Sequence, residues 1–169
     1  MRTLNTKSKA LAINLLIAMV ASAALANQSV KTKATKQHCI SIFIREQSNL
    51  IIQGCDSPVN FCARGAFKGN YGFNGTSFFR AISFDPITND PLSRQVAPGI
   101  STYTSDEGSI TISDVSEFDK ARGTFSGIGR IVDGTGRFAV ASGDVFTAGR
   151  TLPDGSFTKE LKGEICLPD

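Results

Sequence analysis

The chain carries one histidine, four cysteines and 15 Asp or Glu residues, and these bound the chemistry it can attempt. A Ser-His-Asp or Cys-His nucleophile system needs a histidine at its centre. His38 stands beside Cys39 at the start of an alternating apolar stretch, which suits a surface or seam position instead. One histidine cannot make a His-rich metal site, and no Cys-x-x-Cys spacing offers a thiolate site. No metal and no cofactor is expected. Carboxylates remain. Alternation along the strands places Glu46, Asp114 and Asp144 on inward faces. An acid enclosed by apolar side chains has a raised pKa and can serve as general acid or base. Glu46 and Asp114 fall near expected strand ends, where alternation says little. A bulge at Gly143 would turn Asp144 outward. Glu117 and Asp119 fall in an expected loop and read as solvated.

The segment that precedes these residues has a different job. Arg2, Lys7 and Lys9 make a positive start, and residues 10–24 are nearly all apolar, broken by Asn14 and Ser22. Ala24-Leu25-Ala26 is a small-x-small site, so cleavage between Ala26 and Asn27 is expected of a secretory signal peptide. The apolar run is shorter than the roughly 20 residues of a spanning helix, so no integral membrane segment is expected after cleavage. Cleavage removes three of the 18 basic residues and none of the 15 acids. The remaining chain has no net charge, hence no global field to attract nucleic acid or anionic lipid. Residues 27–37, with Lys31, Lys33 and Lys36, read as a loose N-terminal segment.

An even cysteine count in an exported chain argues for two disulfides, and four cysteines allow three connectivities. Cys55 and Cys62 flank a Pro-containing turn, which suggests a local staple and leaves Cys39 with Cys166. Export and two disulfides place the protein in the periplasm or outside the cell.

Residues 38–169 must position these groups, and they read as strands. Ile40, Ile42 and Ile44 alternate with Cys39, Ser41 and Arg45. Residues 50–53, 76–84, 100–105, 109–115, 123–132, 137–148 and 156–166 complete a set of about eight, punctuated by Gly, Asn and Asp. Asn74-Gly75, Asp106-Glu107-Gly108 and Asp154-Gly155 read as turns. Asn74-Gly75-Thr76 also matches a glycosylation acceptor, but the turn needs no further assumption. Residues 85–99 hold three prolines and no period, and read as a long loop. No stretch sustains a helical period. Eight closely spaced strands indicate a single all-β domain, a closed antiparallel barrel or a sandwich. In the last strand Phe157, Leu161, Gly163 and Ile165 share one face, with Lys159 an exception there. Cys39 and Cys166 both face outward, so a cross-strand disulfide would fasten the barrel seam.

Gly134-Thr135-Gly136-Arg137-Phe138, followed by Gly143, is the most distinctive stretch. It lacks the Gly-Lys-Ser/Thr of a phosphate loop. Phe138, Val140 and Phe146 are expected on one face, with Ala139, Ala141 and Gly143 keeping the other thin. The stretch resembles the Gly-Thr-Gly-Lys/Arg-Phe-x-x-Ala-x-Gly signature of the allene oxide cyclase and dirigent barrel superfamily. Residues 55–62 and 163–167 resemble segments of uncharacterised exported bacterial proteins of that barrel type. The resemblance implies an eight-stranded antiparallel β-barrel of the allene oxide cyclase type. The functional carboxylates of that superfamily do not match positions here residue by residue.

The expectation is an exported small β-barrel, more a binder than an enzyme, taking a small apolar ligand or a protein partner. One alternative is a cyclase- or isomerase-like enzyme using an inward carboxylate, which would call for a cavity above roughly 300 Å³. Another is a structural or surface-interaction protein. The sequence leaves the oligomeric state open.

Overall fold

The computed structural model describes residues 37–87 and 93–168. The signal segment 1–26, its Ala26/Asn27 junction and residues 27–36 lie outside the described residues. Nine strands follow in order: β1 Gln37–Ile51, β2 Cys62–Gly69, β3 Asn74–Ala81, β4 Asp85–Pro86, β5 Arg94–Ser105, β6 Gly108–Asp119, β7 Thr124–Gly134, β8 Asp144–Thr151 and β9 Phe157–Pro168. Each long strand pairs antiparallel with its neighbours in sequence, β3 pairs with β5, and β9 returns to β1. The result is a closed eight-stranded antiparallel barrel with the two-residue β4 outside it, against β5. Closure removes the free edges that an open sheet would present.

Alternation builds the interior. On β1, Ile42, Ile44, Glu46 and Ser48 are buried, while Ser41, Arg45, Gln47 and Asn49 are exposed. The core of one half of the barrel is Ile42, Ile44, Phe67, Tyr103, Ile110, Ile112, Leu161 and Ile165, capped by Phe73 and Phe138. Disulfides join Cys39 to Cys166 and Cys55 to Cys62. Cys39 lies directly opposite Cys166 across the β1–β9 seam.

Several expected boundaries move, each for a local reason. Residues 50–53 are not a separate strand, because β1 runs through Gln47-Ser48-Asn49 to Ile51 with Ser48 inward. The strand that sequence reading misses is β2, whose Ala63 and Gly65 carry little strand signal. Gly65 is required there, since a Cβ would run into the Gln47 carbonyl oxygen of β1. Asn74-Gly75 opens β3 instead of turning; the chain reverses at Tyr71 and Gly72, both at positive φ, while the Asn74 side chain bridges Gly69 and Gly72. Within the expected loop 85–99, Asp85–Pro86 and residues 94–99 are strand. Pro98 sits within β5, and its carbonyl accepts from Ile82 N at 2.8 Å. Its missing N–H leaves the reciprocal bond to Ile82 unmade, and there β5 passes from pairing with β3 to pairing with β4.

The stretch after Gly134 differs most from expectation. Arg137 and Phe138 belong to a single 3-10 turn, and β8 begins only at Asp144. Thr135 Oγ1 accepts from Ser109 N at 3.0 Å, and the Arg137 guanidinium pairs with Glu107 at 2.6 Å. Together they fold Phe138 into the barrel base against the Phe73 ring, 5.1 Å between centroids. Phe138, Val140 and Phe146 therefore do not share a face: Phe138 is buried, while Val140 and Phe146 are exposed. Ala141 packs against the core. On the outer wall Val115, Ile128 and Phe146 form a row of direct cross-strand partners.

Candidate functional site

Above the apolar half, the strand pattern changes character. Glu46 lies directly opposite Lys159 on the seam, and both point into the lumen. The Lys159 ammonium is 3.0 Å from Glu46 Oε2, with the two side chains 11% and 3% exposed. The Tyr103 hydroxyl, from β5, donates to the same oxygen at 2.9 Å. Asp114, from β6, accepts the Ser101 hydroxyl on Oδ2 at 2.9 Å. Its Oδ1 is buried and has no hydrogen-bond partner among the described residues.

These neighbours set the charges. Burial pushes the Glu46 carboxyl up, but the Lys159 ammonium and the hydrogen-bonding influence of Lys159, Ser77 and Tyr103 outweigh it. Glu46 therefore titrates below the ordinary carboxylate range. Burial alone would lower Lys159, but the Tyr103 oxygen and the Glu46 carboxylate hold its proton on, above the usual lysine value. Burial drives Tyr103 upward, so it stays a neutral donor. Asp114 behaves differently: burial raises it, and the Lys159 charge and the Ser101 hydroxyl do not cancel that rise. One carboxylate is satisfied and the other is not.

A ring of phenylalanines covers this polar layer. Phe61 makes edge contacts with Phe79, Phe84, Phe118 and Phe157 at centroid distances of 5.1–6.3 Å. Phe125 stacks on Phe118 at 5.1 Å. Gly149 and Gly99 make room for the Phe125 and Phe79 rings, which a Cβ at either position would strike. Phe61 is the last residue of the loop between Cys55 and Cys62. Its carbonyl accepts from Ala81 N at 3.0 Å, and the Ser57 hydroxyl donates to the Ala81 carbonyl at 2.6 Å. The staple thus holds a plug in the mouth. Between the rings and the polar layer lies a cavity of about 40 Å³, lined by Glu46, Asp114, Lys159, Thr147 and the Phe61 and Phe125 rings among others. That volume holds roughly three waters at most.

Two of the three carboxylates expected inward are inward, and the barrel brings them together. Both sit well inside long strands, not at strand ends. Asp144 is not with them. It is the first residue of β8, 73% exposed, and pairs with Arg130 at 2.9 Å. Gly143, at φ 152°, turns the chain there and sets Val145 and Thr147 inward instead. Glu117 and Asp119 belong to the end of β6, not to a loop, and pair with Arg94 and Arg122. His38 is exposed beside the seam disulfide. Phe79 lines the cavity, whereas its sequence neighbour Phe78 lies under the Arg64 guanidinium outside. The Gly134 to Phe138 motif closes the opposite end of the barrel and touches none of these groups.

Lys159 and Tyr103 are the site residues that sequence reading missed. Lys159 carried a signal, since it broke the apolar face of the last strand. Tyr103 carried none beyond its alternation. Among the described residues no cluster of three metal-ligating side chains occurs, and no helix is long and apolar enough to cross a membrane. No family model matches the chain, and neither a curated protein nor a solved structure matches it.

Proposed function

We propose that this protein is an exported, disulfide-stapled barrel that binds a small, mainly apolar ligand at its phenylalanine-ringed mouth. The observation that carries the reading is Asp114, which lines a cavity roofed by rings and whose Oδ1 is a buried acceptor without a donor among the described residues. A buried polar atom left unpaired costs about 1–3 kcal/mol, and a bound molecule that offers a donor relieves that cost. The ligand's polar head fits the cavity beside Asp114. Its apolar body takes the place of the Phe61 ring, which moves with the stapled loop. Export is supported by the N-terminal signal pattern and is compatible with the two disulfides. The barrel also agrees with the fold implied by the resemblance to the allene oxide cyclase and dirigent superfamily, although fold does not transmit activity.

The second reading is a cyclase- or isomerase-like enzyme in which Asp114 moves a proton. It is favoured by the same acid, whose burial keeps its proton on at higher pH than usual. A cavity of about 40 Å³ is far below the volume such a substrate needs, so binding stands first.

The test is nuclear magnetic resonance titration of the oxidised protein with toluene and small single-ring alcohols, amines and acids. Saturable shifts at Phe61, Asp114, Phe125 and Phe157 are expected with at least one of them. No shift at these residues with any of them overturns the reading.

A further inference from the structure

The lumen is one positive charge short. Among the described residues, the charged side chains of the polar layer are Glu46, Asp114 and Lys159, two acids and one base. Lys159 is committed to Glu46 at 3.0 Å. Its ammonium also lies 5.3 Å from the Tyr103 ring centroid and 5.9 Å from that of Phe79. Tyr103 spends its hydroxyl proton on Glu46. Asp114 is left with a single hydroxyl donor on Oδ2 and nothing on Oδ1. The cavity that Asp114 lines is walled by aromatic rings.

We infer that the preferred ligand is a small organic ammonium ion, a primary or secondary amine on an aromatic or aliphatic body. This rests on the binding reading above and names its ligand class. An ammonium head supplies the missing donor to Oδ1 as a charge-assisted hydrogen bond, and balances the second carboxylate. The phenylalanine faces around it attract a cation, as aromatic cages do in general. A ligand carboxylate would add a third anion to the same few ångströms of low-dielectric space. A neutral hydroxyl would satisfy Oδ1 but leave the charge imbalance. A head of one nitrogen and its first carbon fits about 40 Å³, and the rest of the molecule displaces Phe61.

Three compounds with one body and three heads test this: benzylamine, benzyl alcohol and benzoate. The readout is the dissociation constant of each with the oxidised protein, from chemical shifts of the mouth residues. Benzylamine is expected to bind at least about tenfold more tightly than benzyl alcohol, and benzoate more weakly than both. Asp114→Asn should remove most of the amine preference while changing benzyl alcohol affinity less than about threefold.

The pH dependence gives a second readout that needs no variant. The groups facing Asp114 are Glu46 on β1, Ser101 on β5 and Lys159 on β9; β7 presents Gly129 beside it. Glu46 loses its proton below the ordinary range, while Lys159 and Tyr103 keep theirs above it. Asp114, whose burial holds its proton on above the ordinary carboxylate range, is therefore the one of these groups whose charge changes as pH rises beyond that range, while an alkylammonium ligand keeps its charge. Amine binding should tighten as pH rises above the ordinary carboxylate range and Asp114 loses its proton. Equal or tighter binding of benzyl alcohol or benzoate, or amine affinity flat with pH, overturns the ammonium inference and leaves the binding reading standing. Absence of binding by all three compounds, with none of the mouth residues shifting, overturns both.

Discussion

Lys159→Met is the sharpest perturbation of this barrel. The substitution keeps most of the side-chain volume and removes only the ammonium. It strands Glu46, whose side chain is 3% exposed, with neutral hydroxyl neighbours alone, Tyr103 at 2.9 Å and Ser77. Breaking a buried ion pair from one side typically costs about 3–5 kcal/mol, because an uncompensated charge stays behind. For a chain of this size that corresponds to a fall in Tm of roughly 10–20 °C. Glu46→Gln with Lys159→Met removes both charges and should cost less than Lys159→Met alone, giving a coupling above about 2 kcal/mol. The pH dependence separates a charge effect from a packing effect. In the native protein Glu46 titrates below its ordinary value of 4.5, so its contribution is present above that value and lost as pH falls through the lower folded pKa. In Lys159→Met the largest remaining influence on Glu46 is burial, which raises it. The variant should therefore gain stability on acidification from about pH 7 to about pH 5, where the native protein gains none from this group. The assay is urea unfolding at both pH values with the disulfides intact, and the coupling comes from the double-mutant cycle. A loss below about 1 kcal/mol in Lys159→Met, or the same acid response as the native protein, would refute the buried-pair argument.

Three further outcomes follow from the same geometry. Asp114→Asn should raise the unfolding midpoint at neutral pH, because burial penalises the Asp114 carboxylate. The sign follows from its raised folded pKa: the penalty is absent below the ordinary value of 3.8 and full above the folded one, so the gain should vanish in acid unfolding measurements. Replacing Cys39 and Cys166 by serine opens a covalent loop of sequence separation 127 and should cost up to about 5 kcal/mol in non-reducing denaturation, against about 2.5 kcal/mol for the Cys55–Cys62 loop of separation 7. Gly143→Ala should cost more than Gly54→Ala in the same assay. Both glycines have positive φ, but a Cβ at Gly143 meets the Glu164 carbonyl oxygen, whereas at Gly54 it meets open space. The difference should reach about 1–3 kcal/mol.

The barrel was legible because its alternation is strong where it matters. Ile40, Ile42 and Ile44, and the run from Phe157 to Ile165, mark two strands and their inward faces. The pairing of the four cysteines followed from one Pro-containing turn and one parity argument. The ion pair was also within reach. Cys39 opposite Cys166 fixes the register of an antiparallel seam. Counting seven residues along each strand from that pair puts Glu46 opposite Lys159, as the structure shows. The lysine that broke the pattern was the partner of the carboxylate that broke it on the neighbouring strand. Other parts were hidden for physical reasons. The small side chains of β2 make no periodic mark, because close contact with β1 favours their smallness. Asp144 defeated parity, since Gly143 turns the chain just before β8. Asp114 meets Glu46 and Lys159 only through closure of the sheet, and closure is a long-range property that no window of sequence carries.

The seam disulfide also decides how the barrel bears force. Its cysteines lie in the first and last strands, with Gln37 opposite Pro168 beyond them. Tension applied through the two chain ends therefore runs from one end into the Cys39–Cys166 bond and out through the other. The strands between carry almost none of it. In single-molecule pulling on Gln37 and Pro168, the oxidised barrel would stay closed between Cys39 and Cys166, while the reduced one could be peeled strand by strand from the seam. A protein tethered by one end and loaded at the other would keep its mouth, and anything held in it, mechanically isolated from the load.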